Sequence, residues 1–167
     1  MTEELVDIVD DDDHVIATVT RREMRAGRLL HRSVGIAVMS SDDRLLIHRR
    51  SLDKDVWPGW WDIAAGGVVL SGETYEDAAR RELTEELGVV DAELEPLGNG
   101  RFVDDNVAEN CRGYRVVHDG PFTFDDGEVT EVRWVTFAEL DDMRSTHQFL
   151  PDSMTLLLPL LRAKFCG

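Results

Sequence analysis

Cysteine, long apolar runs and positive charge are the scarce features of this sequence. Its two cysteines, Cys111 and Cys166, provide neither a disulfide framework nor a paired-cysteine metal motif. Reduced thiols in a cytoplasmic protein are therefore expected, with the terminal Cys166 exposed. No stretch approaches the roughly 18 apolar residues of a membrane span, and the first residues lack a basic-then-apolar leader. Lys and Arg number 18 against 34 Asp and Glu, a formal net charge of −16. A surface of that sign repels phosphate backbones and anionic headgroups, so neither nucleic acid nor membrane is an expected partner. What remains is a chain of 167 residues, 43% hydrophobic, enough for one domain with a sizeable core.

The stretch Gly67 to Val89 has the densest pattern. Gly67 is followed after five residues by Glu73, and seven residues later come Arg81-Glu82-Leu83, then Glu85-Glu86, Gly88 and Val89. Glu73 to Leu87 reads as a helix: acidic residues enrich its first turn, Ala78 and Ala79 favour it, and Gly88 stops it. At 3.6 residues per turn, Glu82, Glu85 and Glu86 share one face, while Ala79, Leu83 and Leu87 fall on a neighbouring face that packs inward. Like charges at that spacing destabilise a helix unless something neutralises them. A hard divalent cation with a preference for oxygen ligands does so.

The pattern resembles the Nudix box, G-x5-E-x7-R-E-U-x-E-E-x-G-U with U aliphatic, at every position, a chance match on the order of one in a million for a chain of this size. The resemblance implies a Nudix fold, an α/β/α sandwich around a mixed β-sheet, and metal-dependent cleavage of a diphosphate linked to another group. It further implies that Glu82, Glu85 and Glu86 hold Mg²⁺ or Mn²⁺ with help from the carbonyl of Gly67. The Glu73–Arg81 pair would brace the loop. The expected organisation is a single domain over 1–167, with an N-terminal hairpin extension (1–28), the box (67–89) and a C-terminal helix (152–166).

Around the box, Leu5–Val9 and Val15–Val19 read as a hairpin whose turn, Asp10 to Asp13, is a solvated acidic loop. Thr20–Gly27 is expected to be a short helix, and Ser33–Met39 and Leu45–His48 a pair of strands. A short strand over Asp62–Ala65 leads to Gly66-Gly67, where backbone can approach a ligand closely. Strands follow over Ala92–Val103, Arg112–His118 and Thr130–Val135. Thr136 caps a helix with Glu139 three residues on, and Asp152 or Ser153 caps the last one. In that last helix Met154, Leu157, Leu158, Leu161 and Phe165 make a core stripe, and Pro159 kinks it or delays its start.

Against so acidic a background, Arg50 and Lys54 beside Trp57, Trp60 and Trp61 stand out as a basic clamp for a diphosphate with an aromatic wall. Core packing explains the tryptophans equally well. Glu128 and Glu131 are further candidates for a metal ligand or base, ranked below the box. The segment from Leu29-Leu30-His31-Arg32 through Arg49 to Asp62 is similar to type 1 isopentenyl diphosphate isomerase, a Nudix relative in which cations matching Arg50 and Lys54 contact the diphosphate. The isomerase's catalytic cysteine and metal-binding histidine are replaced here by the Ala64-Ala65-Gly66-Gly67 segment. Of its metal-binding histidines only His31 has a counterpart, and of its later paired glutamates Glu109 matches one while Cys111 stands near the other. The expected activity is therefore hydrolysis of a nucleoside diphosphate linked to a further group, or of a similar small organic diphosphate. An isomerase-like enzyme and a non-catalytic ligand-binding Nudix domain are the alternatives. The expected partner is a small phosphorylated substrate, bound by a monomer or homodimer.

Overall fold

The structure, a computed structural model, describes residues 2–165; Cys166, and with it the expected end of the last helix, lies outside them. The hairpin strands β1 (Leu5–Val9) and β2 (Val15–Thr20) come first, followed by α1 (Arg21–Gly27). Then come β3 (His31–Met39), β4 (Leu45–Arg50), β5 (Trp61–Asp62) and β6 (Ala65–Val68), and the box helix α2 (Tyr75–Leu87). The chain continues through β7 (Glu95–Val103), β8 (Ala108–Val117), β9 (Val129–Val135), α3 (Phe137–Arg144) and α4 (Pro151–Phe165).

The sheet is organised on β3. On one edge, β8 runs parallel to it over its whole length, from His31 beside Glu109 to Met39 beside Val117. On the other edge β1, β6 and β4 pair with it antiparallel in succession. The nine strands form one mixed sheet, and the N-terminal hairpin belongs to it.

The alternation of β3 builds two cores. Val34, Ile36 and Val38 face Ala78, Ala79, Leu83 and Leu87 of α2, while Ala37 and Met39 face Leu140 of α3 and Leu157, Leu158 and Leu161 of α4. Helices thus cover both faces of a mixed sheet, the α/β/α architecture expected. The stripe on α4 is core.

Four local expectations change. The segment expected as one strand over 62–65 is two, β5 and β6, because Trp61 and Asp62 pair with β4 whereas Ala65 to Val68 pair with β3. The box helix starts after Thr74, whose hydroxyl accepts from the Asp77 amide, so Glu73 stands outside it. Helix α4 already begins at Pro151, a position where the missing N–H costs nothing, and it runs on through Pro159. In the acidic turn, Asp13 is more than a solvated charge: it accepts from Arg32 Nε at 3.2 Å and from Asn110 Nδ2 at 2.9 Å.

Candidate metal and diphosphate site

Arg81 is the hub of the box. Its Nε donates to Glu73 Oε1 at 2.9 Å and its Nη2 to the Val68 carbonyl at 3.0 Å, tying the middle of α2 to the loop before it and to the end of β6. Its Nη1 also donates to Glu82 Oε1 at 2.8 Å and to Glu85 Oε2 at 3.2 Å. The expected Glu73–Arg81 pair is present, and the same guanidinium partly neutralises two of the three box carboxylates.

Those carboxylates sit in different surroundings. Glu82 and Glu86 are buried, whereas Glu85 is exposed on the outer turn. Burial pushes Glu82 up to about 7 against the pull of Arg81, and the charges of Glu85 and Glu128 add to the rise. Burial, then the neighbouring Glu82, drives Glu86 well above the ordinary carboxylate range, with Lys54 opposing. Gly67 lies against Glu82: a Cβ there would stand 2.4 Å from Glu82 Oε1. Two buried acids short of counter-charge, one of them close against the Gly67 backbone, form an oxygen-only donor set that suits a hard divalent cation.

The three glutamates are not gathered into one cage. Among the described residues, the one trio of Asp, Glu, His or Cys with ligand atoms all within 4.8 Å is Asp10, Asp12 and His14 in the hairpin turn. There, bonds of 2.9 Å from the Asp12 and His14 amides to Asp10 Oδ1 account for the clustering.

Beside the box an open cleft with a cavity of about 80 Å³ runs between β6, α1, β8 and the start of α4. Gly66, Gly67, Arg50, Lys54 and Trp57 line it, so the basic pair and one of the tryptophans meet at one surface. The box carboxylates flank the cleft without lining it; Lys54 and Asp62 connect the two, each acting on Glu86 through its charge. Lys54 is paired with Glu128 at 3.1 Å. Arg50 Nη2 donates to the Val56 carbonyl at 3.0 Å, and its buried Nε has no partner.

Trp57 is both wall and core. It lines the cleft yet packs among Val107 and Leu150, with its backbone at φ 47°, a left-handed conformation uncommon for a bulky residue. Trp61 is core, with Arg133 stacked over its ring at 4.9 Å. Glu128 reaches the box through Lys54, while Glu131 accepts from Arg133 at 2.8 Å, away from the box.

Three cleft residues escaped the sequence reading as a group: Asp62, Glu109 and Asp152. They come from β5, β8 and α4, and no spacing rule joins them. Cys111 is also there, its thiol pushed up by burial and then by Glu109, which keeps it protonated. Ala64 and Ala65, in the segment that carries cysteine and histidine in the isomerases, are buried apolar residues.

The family model described as NUDIX domain matches residues 29–156. An uncharacterized Nudix hydrolase of Pseudomonas aeruginosa, PA4841, is 38% identical, with 92% of this chain and 91% of the relative covered. Among solved structures, DR0079 of Deinococcus radiodurans superposes with a TM-score of 0.78 at 29% identity, over 96% of this chain and 98% of that one. The NUDIX domain of Shewanella oneidensis NrtR, solved with ADP ribose, shares the fold at a TM-score of 0.65 and 20% identity, over 88% and 99% of the two chains.

Proposed function

The chain belongs to the Nudix hydrolase family, and from that premise we propose that it hydrolyses, with Mg²⁺ or Mn²⁺, the diphosphate linkage of a nucleoside diphosphate carrying a further group, or of a similar small organic diphosphate. The observation that carries this reading is the buried, mutually repelling Glu82 and Glu86 beside Gly67, next to a cleft that holds Arg50 and Lys54. The ADP ribose bound by the NrtR domain is a small diphosphate of this kind.

Cleavage of a P–O–P link asks a protein chiefly for positioning and for stabilisation of charge on phosphoryl oxygens. Glu82, Glu85, Glu86 and the Gly67 carbonyl would hold the divalent cation, which neutralises phosphoryl charge and acidifies water when bound. Arg50 offers a planar fork to phosphate oxygens and Lys54 a point charge, so the diphosphate lies between them and the box. Arg81 holds Glu82 and Glu85 in place and ties them to Glu73. A carboxylate with an oxygen to spare takes the proton of the attacking water, and Glu82, Glu85 and Glu128 are the candidates. Trp57 gives the attached group an apolar wall, and the whole described chain works as one domain.

The test is a screen of nucleoside diphosphate sugars, dinucleoside polyphosphates, NADH, ADP-ribose and isoprenoid diphosphates with Mg²⁺, reading released phosphate or nucleotide. Metal-dependent turnover of at least one class is the expected result. One arm uses isopentenyl diphosphate in deuterated water. Deuterium entering dimethylallyl diphosphate at enzymatic rates would replace the hydrolase reading with the isomerase, and ligand binding without any turnover would leave the binding domain.

A further inference from the structure

The inner end of the cleft holds buried polar atoms with no partner. The parallel register of β3 and β8 sets Glu109 beside His31. Glu109 is only 6% exposed, and its Oε1 has no hydrogen-bond partner. His31 is 1% exposed; its Nδ1 lies 2.9 Å from the Leu29 carbonyl, which fixes the ring proton there and leaves Nε2 a bare lone pair. That Nε2 is likewise unpartnered, 3.9 Å from Glu109 Oε2. Burial holds His31 below its ordinary value, so the ring stays neutral and offers Glu109 no counter-charge.

Asp152, at the start of α4, lines the same cleft, and burial followed by the Glu109 charge holds its carboxyl well above the usual range. The nearby cation, Arg25, is already engaged with Asp55, 3.2 Å from its Nε. The floor therefore presents one unmatched buried acceptor, Glu109 Oε1, with His31 Nε2 behind it and outside the cleft lining. An unmatched buried acceptor is costly, and a ligand that donates to it recovers that cost.

We propose that this floor is a specificity subsite that takes a hydrogen-bond-donating nitrogen, an amine or ring amino group, on the moiety attached to the diphosphate. The proposal rests on the diphosphate reading above and extends it: the cations near the mouth hold the phosphates, and the Glu109 carboxylate inside selects the attached group. A group that presents a carbonyl at the same place sets acceptor against acceptor and is rejected, since buried polar sites discriminate most strongly when mismatch leaves them unpaired.

Calorimetry with Mg²⁺ and non-hydrolysable α,β-methylene analogues separates selection from turnover. Three matched pairs differ in the group concerned: cytidine against uridine, adenosine against inosine, and 2-aminoethyl against ethyl. The amino member of at least one pair should bind about tenfold tighter or better. Glu109→Gln puts an amide donor in place of a carboxylate oxygen and should remove or reverse that preference, while affinity for inorganic diphosphate stays the same. Equal affinities within all three pairs, no binding of any member, or a preference unchanged in Glu109→Gln would each overturn the subsite. If Glu109→Gln fails to fold, the wild-type ratios decide alone. An amino preference in a protein that hydrolyses none of the parent diphosphates would uphold the subsite and remove the hydrolase reading, so the two fail separately.

Discussion

At the scale of single residues, Arg81 and Arg50 show how the same side chain serves two ends. Arg81 has its donors spent on Glu73, Glu82, Glu85 and the Val68 carbonyl. Its side chain is 24% exposed, so Arg81→Ala should cost about 3 kcal/mol, the lower end of the range for a broken buried pair, along with activity. Denaturant titration checks this, and a variant of wild-type stability without activity would mean that Arg81 touches substrate instead. Arg50 makes one hydrogen bond through Nη2 to the Val56 carbonyl and keeps an unpartnered Nε at the cleft. Steady-state kinetics of Arg50→Ala should show KM raised about tenfold or more, with kcat and melting temperature little changed.

At the scale of elements, β6, which pairs with β3 and leads to α2, carries two adjacent glycines with different obligations. A Cβ on Gly66 would stand 2.1 Å from the Val34 carbonyl oxygen, across the β3–β6 pairing, and backbone cannot give way. On Gly67 the obstacle is the Glu82 carboxylate, the far end of a flexible side chain. Gly66→Ala should therefore lose about 3 kcal/mol or more and melt about 6 °C or more lower. Gly67→Ala should melt near wild type and lose Mg²⁺ affinity and turnover, because the displaced group is a candidate ligand. Thermal melts beside Mg²⁺ calorimetry separate the two, and the reverse order would refute this assignment. Much of this element was legible in the sequence because the box spacing fixes which residues share a helix face. The first turn was misread by one competing signal: Thr74 with Asp77 makes a capping box inside a stretch already rich in acids. The break between β5 and β6 was not legible, since partner strands, not local pattern, decide it.

At the scale of the molecule, the layered sheet followed from strand and helix order, whereas the inner cleft did not. Glu109 and Asp152 meet only because β8 runs parallel to β3 and α4 packs back across them, and pairing between distant segments leaves no periodic trace. Their meeting sets a pH dependence. Asp152 has its folded value raised above the ordinary 3.8, so its contribution to stability is full below that value and is lost as pH rises through the folded one. Asp13 is lowered, by hydrogen bonds from Asn110, Arg32 and Tyr75 that outweigh its burial, so its contribution is present above 3.8 and lost as pH falls through its folded value. Melting temperature against pH should decline on both sides. Asp152→Asn should reduce the alkaline decline and leave the acid side as it is, the rest of the alkaline loss belonging to Glu82 and Glu86, whose folded values are also raised; an unchanged alkaline decline would place the loss elsewhere.

The central claim is that the buried box carboxylates serve a metal-dependent hydrolysis, and Glu86 tests it most directly because burial and Glu82 set its state and no hydrogen bond of the brace involves it. The measurement is kcat of wild type and Glu86→Gln, side by side at saturating Mg²⁺ on the best diphosphate from the screen, with metal-free melting temperature as the control. The account predicts a fall in kcat of about 10²-fold or more, equivalent to roughly 3 kcal/mol of transition-state stabilisation, in a protein that melts no lower than wild type. Turnover equal to wild type would contradict it.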